Sequence, residues 1–210
     1  EITEIADRVM KQGGPALFFE NVVGKSIPVL INAFGSMKRM ALALGVDDVE
    51  DIAREIDRLI RTKPPKSLKD KLHLFTELVR LAGIPPKLVK DAACQEVILR
   101  DHDLNILPAL TCWPGDAGPF ITLPMVFTRD PRSGGRNVGL YRMQIFDRQT
   151  TGMHWHLHKV GARHYQHQKE QSERMELAAC LGGDPAMIYA ATAPLPDQID
   201  EVLFTGFLRK

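Results

Sequence analysis

The chain has 210 residues, of which 44% are hydrophobic and 25% charged, and its formal net charge is +1 at pH 7. This balance is typical of a globular protein with a sizeable core, and so small a net charge argues against nucleic acid or an acidic membrane as partner. No apolar run reaches the roughly 20 residues of a membrane span, no secretory signal core is present, and the three cysteines form no CxxC pair, so we expect a cytoplasmic protein.

The first hundred residues alternate between helical and strand patterns. Apolar residues at helical spacing predict helices at residues 2–12, 36–46, 48–61 and 67–83. Ser36 is expected to cap the second helix and Gly45 to stop it. Two short apolar runs, ALFFENV (16–22) and PVLINAF (28–34), predict a buried strand pair between the first two helices.

The second half is richer in strand patterns. Strands are expected within residues 94–100, 120–130, 137–147 and 152–159, followed by a helix at 161–177, a short helix at 184–196 and a helix or strand from 197. TCWPGDAGP (111–119) and DPRSGGR (130–136) carry turn residues. The resulting prediction is an α+β chain, with an amino-terminal α/β domain over residues 1–100 and a β-rich domain over residues 101–210.

Four of the seven histidines lie between residues 154 and 164. If residues 152–159 form a strand, then His154, His156 and His158 share one face. A metal site, a catalytic base and an ordinary polar strand face all fit this pattern. We favour the polar face, because three ligands on one straight strand do not converge on one ion.

Residues 129–144, RDPRSGGRNVGLYRMQ, combine four arginines with glycine and serine. Such a stretch can cradle a phosphate, but it matches no nucleotide-binding motif, and a basic hairpin turn fits equally well. Arg142 lies among apolar residues, so it must be paired or must face a ligand. Strict alternation puts Asn137 and Arg142 on opposite faces, unless Gly139 allows a bulge or Asn137 lies in the turn.

Four further candidates carry weaker signals. Glu201 is an acid at the start of an apolar helix, where it commonly interacts with the helix dipole. CWPGDAGPF (112–120) is either a binding loop or a structural turn, and Cys112 is more easily read as a packed thiol than as a reactive one. His164 and Tyr165 are candidate proton carriers. The residues alone leave a flavin, phosphate or metal site near residues 122–160 open.

Five sequence motifs, in this order, resemble those of a known family. PFITLPMVFTRDP, GGRNVGLYRMQ, WHLHKVGARHY, LGGDPAMIYAATAPLP and DEVLFTGFLRK closely resemble the UbiD family of decarboxylases. The resemblance covers essentially the whole chain and is densest from about residue 108. It implies that residues 101–210 form a split β-barrel flavin-binding domain, incomplete at its carboxy-terminal side.

The resemblance also implies the chemistry. Family members are cytoplasmic enzymes that remove carbon dioxide, reversibly and without net oxidation, from aromatic or α,β-unsaturated carboxylic acids. They use prenylated FMN supplied by a partner flavin prenyltransferase, together with Mn²⁺ or Mg²⁺ and often K⁺. The wording of the motifs is closest to members that act on hydroxybenzoates in ubiquinone biosynthesis, so a related aromatic acid is the expected substrate.

Family positions carry over residue by residue. The implied metal ligands are Asn137, His158 and Glu201, and the implied catalytic residue is Arg142, beside the substrate carboxylate. Ala193 stands where some members have methionine. The implied cofactor-binding positions are Thr122, Asn137, Val138, Gly139, Leu140, Arg142, Leu157, His158, Thr192, Ala193 and Pro194.

The sequence departs from the family at its end. Family members carry two more glutamates in an E-I-V-x-E-G-like stretch beyond the region that matches residues 201–210, and one of them donates a proton. The carboxy-terminal domain with the oligomer contacts also lies beyond Lys210. We therefore expect a homo-oligomeric parent that decarboxylates and a 210-residue piece that is inactive alone. Two alternatives are a flavin-binding oxidoreductase-like module and a non-catalytic subunit that completes its site with another polypeptide.

Overall fold

The structure, a computed structural model, describes residues 1–61, 84–196 and 199–209. The amino-terminal part follows the predicted order of elements. The helix expected at 67–83 lies outside the described residues. The elements are α1 (Ile2–Lys11), β1 (Leu17–Phe19), β2 (Val29–Ile31), α2 (Met37–Leu44) and α3 (Val49–Ile60).

The second half contains six short strands and three helices among the described residues. Two 3₁₀ turns, Ala93–Gln95 and Leu104–Ile106, precede them. The elements are β3 (Phe120–Ile121), β4 (Met125–Arg129), β5 (Arg136–Leu140), β6 (Met143–Ile145), β7 (Thr151–Met153), α4 (Val160–Glu170), β8 (Ala178–Cys180), α5 (Pro185–Ala190) and α6 (Glu201–Leu208).

All strand pairs are antiparallel. β1 pairs with β2, and the other strands form two three-stranded sheets, in the orders β3-β6-β7 and β5-β4-β8. The α+β class is thereby confirmed, although the described strands do not close into a barrel. The division of the chain near residue 100 stays a prediction. Among the described residues, none of the helices combines the length and the apolar character needed to cross a membrane.

Local signals explain the amino-terminal helices. The Ser36 hydroxyl accepts a hydrogen bond from the Arg39 N–H at 3.2 Å, and Gly45 ends α2 in the left-handed conformation with φ 75°. Both caps were predicted. Leu44 of α2 and Ile52 of α3 pack against the buried Ala186, Ala190 and Leu208. The amino-terminal helices therefore share a core with α5 and α6.

Three predictions of local structure were wrong. Residues 96–100 form no strand, and Val97 is 77% exposed, because no described strand pairs with this run. The β1–β2 pair exists but is not buried, since Phe18 and Leu30 are each 59% exposed. β7 ends at Met153, because the chain must turn at residues 157–158 to begin α4.

The histidines therefore do not form the polar face of a strand. His154 follows β7 and meets the Phe120 ring edge-on, with the ring centroids 5.0 Å apart. His156 is exposed and irregular, and His158 lies on the turn before α4. Of these four histidines, only His164 is buried, at 4% exposure, in the middle of α4. The spacing of His154, His156 and His158 at every second residue therefore does not place them on one face of a strand.

Candidate functional site

Strand β5 forms the centre of the candidate site. It is an edge strand, and its register with β4 runs without a break from Arg136 to Leu140. No bulge therefore occurs at Gly139, and Asn137 lies inside the strand. By alternation Asn137 and its partner Thr128 face one side, and Val138 faces the other. Asn137 is only 7% exposed.

Glu201 closes the free edge of β5. It is the first residue of α6, and its Oε2 accepts the Val138 N–H at 3.0 Å. Asp200 caps the same helix, accepting the N–H groups of Val202 at 2.8 Å and Leu203 at 3.2 Å. A carboxylate that hydrogen-bonds a neighbouring strand does more than balance a helix dipole, because it fixes α6 beside Asn137.

The two adjacent carboxylates differ in charge environment. Burial would raise the pKa of Asp200, but Arg136 lowers it through two hydrogen bonds, of 2.7 and 2.9 Å. Burial raises the pKa of Glu201, which is 9% exposed and forms no ion pair within the described residues. Arg136 attracts Glu201 electrostatically but is hydrogen-bonded to Asp200. A buried carboxylate that has no ion pair of its own is costly, so the position suits a bound cation.

Tyr141 connects Asn137 to the start of α4. Its hydroxyl accepts the Gly161 N–H at 3.2 Å and lies 3.5 Å from the Asn137 Nδ2 donor. Its ring fills the space beneath Gly139, where a Cβ would lie 2.7 Å from Tyr141 Cε2. His158 precedes Gly161 by three residues. Tyr141 therefore connects the segment that carries His158 to the strand that carries Asn137.

The predicted metal set is only partly assembled. Glu201 accepts the N–H of Val138, the residue after Asn137, and the exposed His158 forms no hydrogen bond or ion pair with Asn137 or Glu201 within the described residues. No group of three His, Cys, Asp or Glu side chains is close enough to hold a metal in the described part of the chain. The oxygen atoms of Asn137 and Glu201 nevertheless fit Mg²⁺ or Mn²⁺.

A second buried pair went unnoticed in the sequence. Thr128 Oγ1 lies 2.9 Å from His164 Nδ1, and these residues are 2% and 4% exposed. Because Thr128 is the register partner of Asn137, this pair fixes α4 over the same face of the sheet. No local signal identifies it, since the two residues are 36 positions apart.

Two cavities border β5, one lined by Arg136 and the other by Leu140. A polar cavity of about 430 Å³ is lined by Arg136, His164 and Glu201, among others. An apolar cavity of about 240 Å³ is lined by Leu123, Leu140, Thr192 and aromatic side chains. The apolar cavity thus joins two predicted flavin positions, Leu140 and Thr192, and borders Thr122 through its neighbour Leu123.

Asn137, Val138 and Gly139 are buried inside β5, whereas the remaining predicted cofactor positions lie on or near the surface. Leu157 is 90% exposed, Pro194 is exposed and Ala193 is half-buried. Arg142 lies between β5 and β6, where it pairs with Asp116 and covers the Phe120 ring. Within the described residues it makes no contact with Asn137 by hydrogen bond or ion pair.

The hairpin arginines are already engaged. Arg129 donates to the Gly134 carbonyl at 2.7 Å, and Arg132 pairs with Glu170 of α4. This agrees with a basic hairpin turn rather than with a phosphate cradle. Cys112 is half-buried, and burial raises the pKa of its thiol, which agrees with a packed cysteine.

Comparison with family models identifies both halves of the chain. Residues 1–59 match the 3-octaprenyl-4-hydroxybenzoate carboxy-lyase N-terminal domain. Residues 87–210 match the 3-octaprenyl-4-hydroxybenzoate carboxy-lyase Rift-related domain, the UbiD model. Two uncharacterised proteins, from Aquifex aeolicus and Archaeoglobus fulgidus, are each 46% identical over 211 residues. The chain spans 43% of the length of each.

Solved structures share the fold. The closed form of vanillic acid decarboxylase from Sedimentibacter hydroxybenzoicus has a TM-score of 0.79 and 27% identity, over 100% of this chain and 43% of its own. The UbiD-class enzyme HmfF from Pelotomaculum thermopropionicum, in complex with FMN, has a TM-score of 0.74 and 28% identity, over 98% and 42%. An evolved dimeric form of HmfF, in complex with prFMN, has a TM-score of 0.74 and 27% identity, over 97% and 44%.

Proposed function

Because the chain belongs to the UbiD family, we propose that the whole protein containing it removes carbon dioxide from an aromatic or α,β-unsaturated carboxylic acid with prenylated FMN and a divalent metal ion. The observation that carries the proposal is Glu201, a buried carboxylate without an ion pair, held at the edge of β5 beside Asn137. The solved relatives support it, since one is a vanillic acid decarboxylase and another is in complex with prFMN.

The residues present fit this cofactor set. Asn137 and Glu201 would supply oxygen ligands to Mn²⁺ or Mg²⁺, with His158 as the nitrogen ligand. Arg136, which lines the polar cavity together with Glu201, adds positive charge that suits the flavin phosphate. The apolar cavity beside Leu140 and Thr192 would receive part of the flavin ring.

The prenylated flavin, when bound, supplies the electron sink that the departing carboxylate requires. The side chains of residues 1–210 would bind the cofactor and the substrate and orient them. Arg142, with one guanidinium edge held and 36% of its side chain exposed, would receive the substrate carboxylate. Proton return needs a general acid, and none of the matched residues provides one.

The family resemblance also supports proposals for the location, the assembly, the cofactor supply and the substrate. We propose a cytoplasmic homo-oligomer that obtains its cofactor from a flavin prenyltransferase, with K⁺ as a second ion. A hydroxybenzoate-like acid is the proposed substrate, and the aromatic acid in the name of the Sedimentibacter relative supports this choice.

The test uses the whole protein, produced with a flavin prenyltransferase and Mn²⁺. We expect carbon dioxide release from at least one acid in a panel of hydroxybenzoates, benzoates and unsaturated acids. No release from any of them by the cofactor-loaded protein would overturn the proposal.

A variant separates this function from that of a flavin-binding oxidoreductase. Asn137→Ala should abolish metal-dependent retention of prenylated FMN, whereas Asn105→Ala, at an exposed asparagine, should retain it. If Asn137→Ala retains ordinary FMN and prenylated FMN as the unsubstituted protein does, the metal-linked flavin site is wrong and the oxidoreductase alternative gains.

A further inference from the structure

The loop TCWPGDAGP (111–119) folds around one carboxylate. The Asp116 N–H donates to the Trp113 carbonyl at 3.0 Å, and Asp116 Oδ2 accepts the Trp113 N–H at 3.2 Å. Both bonds close a tight turn, so the structural reading of this motif is correct. Neither bond explains why the side chain must be charged, because an asparagine closes the same turn.

The charge of Asp116 is matched by Arg142. Arg142 Nη2 donates to Oδ2 at 2.8 Å, and Nη1 donates to Oδ1 at 3.3 Å. The guanidinium carbon lies 3.8 Å from the centroid of the Phe120 ring. Arg142 is thus fixed in two directions, by a two-pronged ion pair at one edge and by a cation–π contact on one face.

The pair keeps its charges at neutral pH. The hydrogen bonds from Arg142 lower the pKa of Asp116, and those to Asp116 raise the pKa of Arg142. The Asp116 side chain is 12% exposed and that of Arg142 is 36% exposed. The carboxylate is therefore largely covered, while part of the Arg142 side chain remains open to solvent.

A guanidinium has five N–H donors, and Asp116 engages one edge of them. We propose that Asp116 is a positioning residue, which holds Arg142 against Phe120 so that its remaining N–H groups receive the substrate carboxylate. This rests on the proposed function, because it assigns Arg142 the carboxylate of the acid. Asp116 does not touch the substrate.

If Asp116 instead blocked the carboxylate site, its removal would have the opposite effect on carboxylate binding. If Asp116 occupied the place of the substrate carboxylate, removing its charge would free Arg142 and tighten carboxylate binding. If Asp116 positions Arg142, the same change lets the side chain rotate away from Phe120, and carboxylate binding weakens. The sign of the change in affinity decides between them.

Asp116→Asn is the decisive variant. Its amide oxygen can still accept the Trp113 N–H, but its amide nitrogen faces the donors of Arg142 and breaks the two-pronged pair. The matched control is Asp103→Asn. Asp103 likewise accepts a nearby backbone N–H, from Asn105 at 2.8 Å, and an arginine donor, from Arg148 at 3.1 Å.

The measurement is the dissociation constant of benzoate for the whole protein loaded with prenylated FMN, by calorimetry. We expect Asp116→Asn to weaken binding by about tenfold or more, and Asp103→Asn to stay within about twofold of the unsubstituted protein. Asp116→Glu, which keeps the charge, should restore part of the affinity. Unchanged or tighter benzoate binding in Asp116→Asn overturns the inference, as does the absence of benzoate binding to the unsubstituted protein.

A second measurement needs no variant. Phenylglyoxal modifies accessible arginines, and peptide mapping reports its reaction at Arg142. Benzoate should protect Arg142 in the unsubstituted protein and should leave the exposed Arg148 unprotected. Equal protection at both, or at neither, overturns the inference even if Asp116→Asn fails to fold.

Turnover separates this inference from the proposed function. Where the unsubstituted protein releases carbon dioxide, Asp116→Asn should raise KM and lower kcat, and Asp103→Asn should change neither. If benzoate binding responds as expected but no acid is decarboxylated, the proposed function fails and the positioning of Arg142 stands. If acids are decarboxylated and Asp116→Asn changes nothing, only the positioning role fails.

Discussion

Two antiparallel hairpins, β1–β2 and β4–β5, differ in burial more than in sequence pattern. Phe18 and Leu30, opposite each other in the first, are each 59% exposed. Val126 and Val138, in the second, are at most 1% exposed. Side chains of α5 and α6 pack against Val138, and side chains of β3, β6 and β7 pack against Val126. The first was predicted as a buried strand pair and the second as two strands with a turn between them, so the sequence pattern did not distinguish the exposed hairpin from the buried one.

Burial on both faces has a chemical consequence. Any polar group on β4 or β5 needs a partner, because an unsatisfied buried polar group costs about 1–3 kcal/mol. Thr128 has His164, and the Val138 amide has Glu201. The partnered polar groups and the buried carboxylate collect at the second hairpin, which is why the candidate site is there and not at the first.

The largest expected difference between the hairpins is in the unfolding free energy that is lost when a side chain is truncated. Val138→Ala removes two buried methyl groups and should lower the free energy of unfolding by about 2.5 kcal/mol. Leu30→Ala, at an exposed position of β2, should change it by less than about 0.5 kcal/mol. Urea unfolding of both variants checks this. Equal losses would mean that β1–β2 is as buried in solution as β4–β5.

A smaller effect is expected at Gly139. An added Cβ would contact the Tyr141 hydroxyl and lie 2.7 Å from ring atom Cε2. The ring is held by the Gly161 N–H, so Gly139→Ala should cost about 2 kcal/mol of unfolding free energy. Gly24→Ala, in the β1–β2 turn, meets no atom within 4 Å, but its φ of 72° should cost about 1 kcal/mol. Thermal unfolding ranks the two, and a reversed rank would contradict the packing of Tyr141.

The last effect concerns the turn of the β4–β5 hairpin and is confined to low pH. Burial would raise the pKa of Asp130, but His167 Nδ1 at 2.9 Å and Ser133 Oγ at 3.0 Å help to lower it to about 2. Its contribution to stability is therefore full above about pH 4 and is lost as the pH falls towards 2. Asp130→Asn should flatten the decline of unfolding free energy in that window. A slope identical to that of the unsubstituted protein would refute the role of Asp130.

The sequence predicted what is local. The helical spacing of α1, α2 and α3 and the two caps of α2 are local features, so they could be recognised without the rest of the chain. The strand run at 94–100 and the histidine strand were wrong, because pairing and burial depend on distant partners. Asn137 and Glu201 were named through family resemblance, but the bond from Val138 to Glu201 spans 63 positions. Tyr141 and Thr128 carried no local signal at all.

The proposed metal site depends most directly on Glu201. A native mass spectrum of the whole protein, produced with a flavin prenyltransferase and Mn²⁺, should show prenylated FMN and one manganese ion per chain. Glu201→Gln, which keeps the size of the side chain and an acceptor for the Val138 N–H, should lose the manganese and most of the flavin. Full retention of both by Glu201→Gln would contradict the central claim that this carboxylate anchors the metal beside β5.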